Sequence, residues 1–257
     1  FSSCVALFCK GRYMLVYVLG AIGVSFAICA WNITTALFYL IPGLISGVIY
    51  GYMWRLKTPS PINIFVNSLI NLGLFYLSFL LIRALFDGVD MVSFLLSVIG
   101  RNDEAGRTIF PLFAFFYGLA QTLLAHLFIL FQLRRMGIGE IEGVKWNWLY
   151  PCIGLLFLGL SMGLAFLYLP FAYLFLGFGL FWSINSHMLL HPRISPLTIA
   201  ALVISIVIAI IVFPLLLPHF PEKGGLLILA IPLAISDIAV LINPFFVKIL
   251  PFKPHRD

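Results

Sequence analysis

A row of asparagines occupies the middle of a long apolar stretch, with Asn63, Asn67 and Asn71 at four-residue spacing. On a helix that turns about 100° per residue, these three fall with Ser60 and Ser78 within an arc of roughly 80°. A carboxamide that faced lipid would leave donors and acceptors unpaired, at a cost of about 1–3 kcal/mol. We therefore expect the row to face the bundle interior, another subunit or a watered cavity. It then either joins helices by hydrogen bonds or lines a cavity for a polar solute.

The next apolar stretch carries three more polar residues near its middle, Gln121, Thr122 and His126. A buried neutral histidine donates from one ring nitrogen and accepts at the other. His126 is therefore a candidate to bind a solute or to relay a proton, although it can equally be a structural residue. We predict that Gln121 and His126 face the asparagine row and complete a binding site with it.

Asp237 is the one acidic residue well inside an apolar stretch. Counted from Gly224, it lies roughly 20 Å deep, where a carboxylate costs about 2.5–3.5 kcal/mol on insertion scales. It must be protonated, paired or in contact with water. Asp237 is therefore either a ligand-binding residue or an anchor for a basic residue at the cytoplasmic end. A polar cluster that closes an earlier stretch is expected at a similar depth and could meet it: Ser183, Asn185, Ser186 and His187.

The rest of the chain shows which elements hold these residues. Its composition is 63% hydrophobic and 9% charged, which is too apolar for a water-soluble domain and excludes a nucleic-acid-binding chain. Apolar stretches of about 20 residues match the hydrocarbon thickness of a bilayer. We predict an all-α polytopic bundle that forms a single integral membrane domain over residues 1–257. Eight spans are expected, at about 13–30, 35–54, 62–82, 109–133, 148–169, 171–190, 196–217 and 224–242.

The basic residues test this count. With the start of the first span in the cytoplasm, only Arg83, Arg101, Arg107 and Lys223 of the fifteen Lys and Arg residues lie outside. This bias follows the positive-inside rule and places both ends of the chain in the cytoplasm. The apolar segment Phe1–Cys9 has the character of the end of an earlier helix, so a further N-terminal helix is expected before residue 1.

Small residues indicate where helices approach closely. Gly43, Gly47 and Gly51 form one strip of the second span, which either packs inside the bundle or docks a partner membrane protein. Similar pairs occur in the first span (Gly23 and Ala27) and the fifth (Gly159 and Gly163). The outer connection between the third and fourth spans has the apolar spacing of a short amphipathic helix at Met91, Phe94, Leu95, Val98 and Ile99. That helix is either a lid over an outward-facing cavity or a packed connector.

The order of these features resembles the YybS-like family of bacterial multi-pass membrane proteins. That family is in turn distantly similar to the substrate-binding subunits of energy-coupling-factor vitamin transporters. The resemblance runs from about Ile41 to the C-terminus. It rests on PGLISGVIYGYMWRLK, the outer amphipathic insert, QLRRMGI, WNWLYP and the single aspartate of AISDIAVLINP. It implies a protein of the bacterial plasma membrane with a further N-terminal helix, and no ligand-binding residue is carried over from it.

Three functions are compatible with this pattern. The first is a solute-binding or transport protein for a small polar or vitamin-like molecule, possibly the membrane subunit of a larger transporter. Its ligand-binding residues would be Asn63, Asn67, Asn71, Gln121, His126 and Asp237. The second is a scaffold or assembly protein in which the glycines and asparagines serve helix contacts only. The third, an intramembrane enzyme, is less favoured, because no HExxH or GxSxG motif is present. No catalytic residue, metal ligand or cofactor is predicted.

Overall fold

The chain folds into helices. The computed structural model describes residues 2–9, 11–29, 36, 40–56, 58–86, 88, 90–137, 148–190, 207 and 225–249, without the side chains of 188–190 and 243–249. No strand occurs in these ranges, which confirms the all-α prediction. The helices are α1 (Ser2–Phe8), α2 (Gly11–Ile28), α3 (Ile41–Arg55), α4 (Ser60–Leu85), α5 (Met91–Val98), α6 (Glu104–Arg135), α7 (Leu149–Leu164), α8 (Leu169–Leu190) and α9 (Ala230–Ile249), the last preceded by a 3-10 turn at Gly225–Leu229.

Five helical segments are long and apolar enough to cross a bilayer: Gly11–Ile28, Ser60–Leu85, Glu104–Arg135, Leu169–His187 and Gly225–Ile242. They correspond to the predicted first, third, fourth, sixth and eighth spans. Of the other three, the second and fifth correspond to α3 and α7, with 15 and 16 residues. At about 1.5 Å per residue, each is shorter than a hydrocarbon core of roughly 30 Å. The predicted seventh span lies outside the described residues except for Val207.

The described helices bury polar side chains and expose large apolar ones. On α6, Leu124, Leu127 and Phe131 are 60–69% exposed, whereas Thr122 is fully buried. In water this distribution would leave extensive apolar surface exposed to solvent. In lipid the apolar side chains contact hydrocarbon, and the polar side chains are satisfied inside the protein. Together with the five long apolar helices, it indicates a membrane protein.

The chain divides into two compact units, Phe1–Lys145 and Trp146–Asp257. In the first unit α4 packs along α6, and Phe75 contacts Phe110 and Tyr117 across this interface at ring-centroid distances of 6.2 and 5.3 Å. In the second unit α7 and α8 form a helical hairpin against which α9 packs. The single membrane domain stays a prediction.

Close helix contacts in the second unit depend on small residues. The Ser161 hydroxyl of α7 donates to the Ala172 carbonyl of α8 at 2.8 Å, and both residues are fully buried. Gly179 of α8 lies against Leu158 of α7, where an added Cβ would come within 2.5 Å of a leucine methyl. The predicted pair Gly159 and Gly163 instead borders open space.

In the first unit, two glycines of the predicted strip pack against α1. A Cβ on Gly47 would meet the Ser2 side chain at 2.1 Å, and one on Gly51 would meet the Ser3 carbonyl at the same distance. Arg55, one turn further along α3, donates to the backbone carbonyls of residues 7 and 9, at the end of α1. Gly47 and Gly51 thus serve packing within the chain, whereas Gly43 borders open space.

The predicted short amphipathic helix is present as α5. Asp90 caps it by accepting from the backbone N–H groups of residues 92 and 93. Its pKa is lowered, chiefly by the hydrogen bond from the Ser93 hydroxyl. Arg107 of α6 donates to the same hydroxyl at 2.6 Å. Leu96 is buried against the protein, while Phe94 and Val98 of the apolar stripe stay exposed. These contacts favour a packed connector over a lid.

Candidate functional site

The asparagine row faces the interface between α4 and α6. Asn63, Asn67 and Asn71 are 1–3% exposed, so the prediction that the row points away from lipid is confirmed. Asn67 and Asn71 each donate from their amide nitrogen to the Thr122 hydroxyl oxygen, at 3.1 and 3.0 Å. Asn71 also donates to the Gly118 carbonyl at 3.3 Å. These bonds join the two helices, as one of the two interpretations predicts.

The hydroxyl of Thr122 determines how the two carboxamides are oriented. Its single proton is donated to the Gly118 carbonyl at 2.9 Å, so its lone pairs accept from both amide groups. Asn67 and Asn71 must therefore present NH2 to Thr122, and their carbonyl oxygens point elsewhere. Both oxygens are buried and accept no hydrogen bond within the described part of the chain. Because buried polar atoms are almost always paired, these two acceptors are candidates to contact a bound solute.

The helices also meet very closely at this point. A Cβ on Gly118 would lie 3.0 Å from the Ser68 carbonyl and 3.1 Å from the Asn71 Cβ. Glycine therefore lets the backbone of α6 approach α4 closely enough for Thr122 to reach both asparagines.

Asn63 has a different surrounding from the other two asparagines. Its amide donates to the Thr58 carbonyl at 3.1 Å, and its carbonyl oxygen accepts from the Thr58 hydroxyl. Both ends of this carboxamide are thus bound at the start of α4. In contrast to Asn67 and Asn71, it has an internal partner for its oxygen.

Gln121 and His126, the predicted site residues of α6, are both half-buried. The Nδ1 atom of His126 lies 2.7 Å from the hydroxyl of Tyr50, which is fully buried on α3. The Trp54 ring lies 5.5 Å from the imidazole, centroid to centroid. His126 therefore links α6 to α3 through a polar contact inside an aromatic cluster.

Asp237 lies in the second unit and is fully buried. The Ser183 hydroxyl donates to its Oδ2 at 2.6 Å, and the Ser186 hydroxyl donates to its Oδ1 at 2.8 Å. This contact confirms that the polar cluster at the end of α8 meets Asp237. On the side of α7, Gly154 lies so close that an added Cβ would stand 2.5 Å from Oδ2.

His187 forms a second polar contact between α8 and α9. Its Nδ1 lies 2.6 Å from the Ser183 carbonyl, which can only accept, so Nδ1 carries the proton and donates. Its Nε2 then accepts from the Ser236 hydroxyl. Ser236 is 6% exposed, and both oxygens of Asp237 are bound to serines instead of the imidazole. This differs from a Ser-His-Asp triad, in which the carboxylate orients the histidine.

Sequence reasoning did not assign Thr122 or Gly154 to a site. Thr122 follows Gln121 by one residue, or about 100° of helix rotation, and the sequence does not fix that rotation well enough to choose between them. Gly154 lacks the four-residue spacing used to find packing glycines, so only its depth relative to Asp237 could have indicated it. Among the described residues, no three His, Cys, Asp or Glu side chains come together as a metal site requires.

No family model, curated protein or solved structure matches the chain.

Proposed function

We propose that the protein is a membrane solute-binding or transport protein for a small polar or vitamin-like molecule. The supporting observation is the pair of buried carbonyl oxygens of Asn67 and Asn71, which accept no hydrogen bond within the described residues. A buried acceptor without a partner costs about 1–3 kcal/mol. A solute that donates to both oxygens would recover that free energy on binding.

The geometry indicates what the solute must offer. The two oxygens belong to residues four apart on one helix face, whose Cβ atoms are about 5–6 Å apart. Each carboxamide offers a solute only its oxygen, because its NH2 group is bound to Thr122. The solute therefore carries at least two donors, such as hydroxyl, amine or amide N–H groups. In this proposal Gln121 and His126, on the same helix as Thr122, supply further polar contacts to the solute. Asn63, whose carboxamide is bound at both ends, and Asp237, in the second unit, stay ligand-binding residues predicted from the sequence alone.

The proposed topology has eight spans, both ends of the chain in the cytoplasm, and a single domain in the bacterial plasma membrane. It is supported by the distribution of the fifteen basic residues under the positive-inside rule, and by the resemblance to the YybS-like family. The chain has no nucleotide-binding motif. Energy would then come from an ion gradient or from a partner ATPase, and in the latter case the protein would be the membrane subunit of a larger transporter.

A thermal-stability screen in detergent tests the proposal, with polyols, amines, amides and water-soluble vitamins as probes. At one hundred times its dissociation constant, a bound solute stabilises the folded state by about 2.7 kcal/mol. Asn67→Leu and Asn71→Leu should remove the shift. Asn63→Leu is the matched control, because its oxygen already has a partner in Thr58, and it should keep most of the shift.

Thr122→Ser provides a second control, since it keeps the hydroxyl that holds both NH2 groups and leaves both asparagine oxygens in place. It should keep the ligand shift. The proposal is wrong if no probe stabilises the protein, or if Asn67→Leu and Asn71→Leu respond to the probe as the parent protein does.

A scaffold function is the second candidate. It is favoured by the bonds from Asn67 and Asn71 to Thr122, which join two helices of the chain, and by Gly43, which borders open space. Crosslinking in native membranes from the variant Gly43→Cys distinguishes the two candidates. A stoichiometric partner protein, with no stabilising solute, would support the scaffold.

A further inference from the structure

The hydroxyl of Ser186 has one proton and two acceptors. It lies 2.8 Å from Oδ1 of Asp237 and 2.7 Å from the Ser183 carbonyl. A hydroxyl can donate to only one of them at a time. When Asp237 is ionised, Ser186 donates to Oδ1. When Asp237 is protonated, the carboxyl O–H at Oδ1 donates to the Ser186 oxygen, and Ser186 turns its proton to the Ser183 carbonyl. Both protonation states therefore have a complete set of hydrogen bonds.

We propose that Asp237, Ser183 and Ser186 form a reversible proton-binding site. One proton adds to Oδ1 of the carboxylate and leaves from the same atom, while Ser183 donates to Oδ2 throughout. No heavy atom needs to move, because only the Ser186 hydroxyl rotates. A structural anchor would instead pair Asp237 with a basic residue, whereas its described partners are neutral hydroxyls.

The described partners of the carboxyl group match a proton. A hard cation such as Ca2+ takes six to eight oxygen ligands, whereas the described side chains that contact the Asp237 oxygens are two serine hydroxyls at hydrogen-bond distances of 2.6 and 2.8 Å. Gly154 closes the side toward α7. A proton fits this arrangement without displacing any oxygen.

In the part of the chain that the structure describes, the titratable neighbour of Asp237 is His187, on α8. Among the described residues, α7 presents Gly154 to the carboxyl group, and α9 contributes Ser236 beside it. The His187 imidazole is bound by the Ser183 carbonyl and the Ser236 hydroxyl. His187 is half-buried whereas Asp237 is fully buried.

The use of this proton depends on the proposed transport function, because proton release would then be coupled to solute movement. Proton binding itself does not depend on it. The two ideas can therefore fail separately: a titrating Asp237 without any stabilising solute would remove the transport function alone. A stabilising solute with an Asp237 that never changes its protonation state would remove this inference alone.

Infrared difference spectroscopy of the purified protein in detergent tests the inference between about pH 4 and about pH 9. We expect a protonated carboxyl band that titrates in this range, shifts on labelling with carboxyl-labelled aspartate, and is absent from Asp237→Asn. Should Asp237→Asn fail to fold, the labelled parent protein and the serine variants still give the result.

Ser186→Ala removes a hydrogen-bond donor to the ionised carboxylate of Asp237. The titration midpoint of the Asp237 band should therefore move to higher pH by about one unit. Ser183→Ala should move it in the same direction. Ser161→Ala is the matched control, because this buried serine of the same unit donates to the Ala172 carbonyl instead. An Asp237 band that does not change with pH, or equal midpoints in the parent protein and both site variants, would overturn the proposal.

Discussion

Replacing Thr122 by valine tests whether its hydroxyl holds α4 and α6 together. Valine has a similar shape but can accept no hydrogen bond, so the amide groups of Asn67 and Asn71 lose an acceptor at 3.1 and 3.0 Å. Hydrogen bonds between membrane helices average about 0.6 kcal/mol, and a buried donor left without a partner costs about 1–3 kcal/mol. Asn71 keeps the Gly118 carbonyl. The expected loss is therefore about 1–3 kcal/mol in total.

The assay is reversible unfolding in mixed detergent micelles, comparing Thr122→Val with Thr122→Ser. Serine retains the hydroxyl, so it should lose less than about 1 kcal/mol. Combining Thr122→Val with Asn67→Leu should cost at least about 0.5 kcal/mol less than the sum of the two single changes, because both remove the same bond. Equal stability of the valine and serine variants, or strict additivity in the double variant, would refute the reasoning.

Three further predictions concern the other contacts. Gly154→Ala places a Cβ about 2.5 Å from the carboxyl oxygen of Asp237 and should destabilise the protein by about 1–3 kcal/mol, whereas Gly159→Ala, beside open space, should be neutral in the same unfolding assay. Gly51→Ala should separate α1 from α3 and make α1 more susceptible to proteolysis, because Gly51 packs against α1. Gly43→Ala, beside open space, should leave the proteolysis of α1 unchanged. Because the pKa of Asp90 is lowered in the folded protein from its usual 3.8, its stabilisation of α5 should persist above about pH 4 and be lost below it. Hydrogen exchange of α5 measures this loss, and the non-titrating cap Asp90→Asn should remove the pH dependence.

The sequence predicted the class of fold and the burial of the asparagine row because both depend on periodicity. Apolar stretches of sufficient length identify spans, and four-residue spacing places three carboxamides on one face. It did not predict that α7 ends at Leu164, because its apolar stretch continues past the helix end, where Ala165–Leu167 form a turn.

Packing glycines were only partly identifiable for a related reason. A pair of small residues four apart permits close approach but does not say whether a neighbour is present. Gly47 and Gly51 have α1 against them, whereas Gly159 and Gly163 have the same spacing and border open space. Gly118, by contrast, lies where an added Cβ would stand 3.0 Å from a backbone oxygen of α4, which is tighter than ordinary van der Waals contact. Such a close approach depends on helix rotation, which a single sequence does not determine.

The buried hydroxyls of Thr122 and Ser186 differ in the number of acceptors within reach of their proton. A hydroxyl with one acceptor has a fixed orientation, whereas a hydroxyl with two acceptors can change its orientation. The Thr122 proton is donated to the Gly118 carbonyl, and its lone pairs are occupied by two amide groups, so its orientation is fixed. Consequently the oxygens of Asn67 and Asn71 remain acceptors, and a solute rich in carboxylate or phosphate oxygens would meet two like dipoles. Ser186 instead has two acceptors at nearly equal distance, 2.7 and 2.8 Å, so its orientation follows the protonation of Asp237. The first arrangement suits selection of a neutral or cationic solute with donors, and the second suits response to a proton.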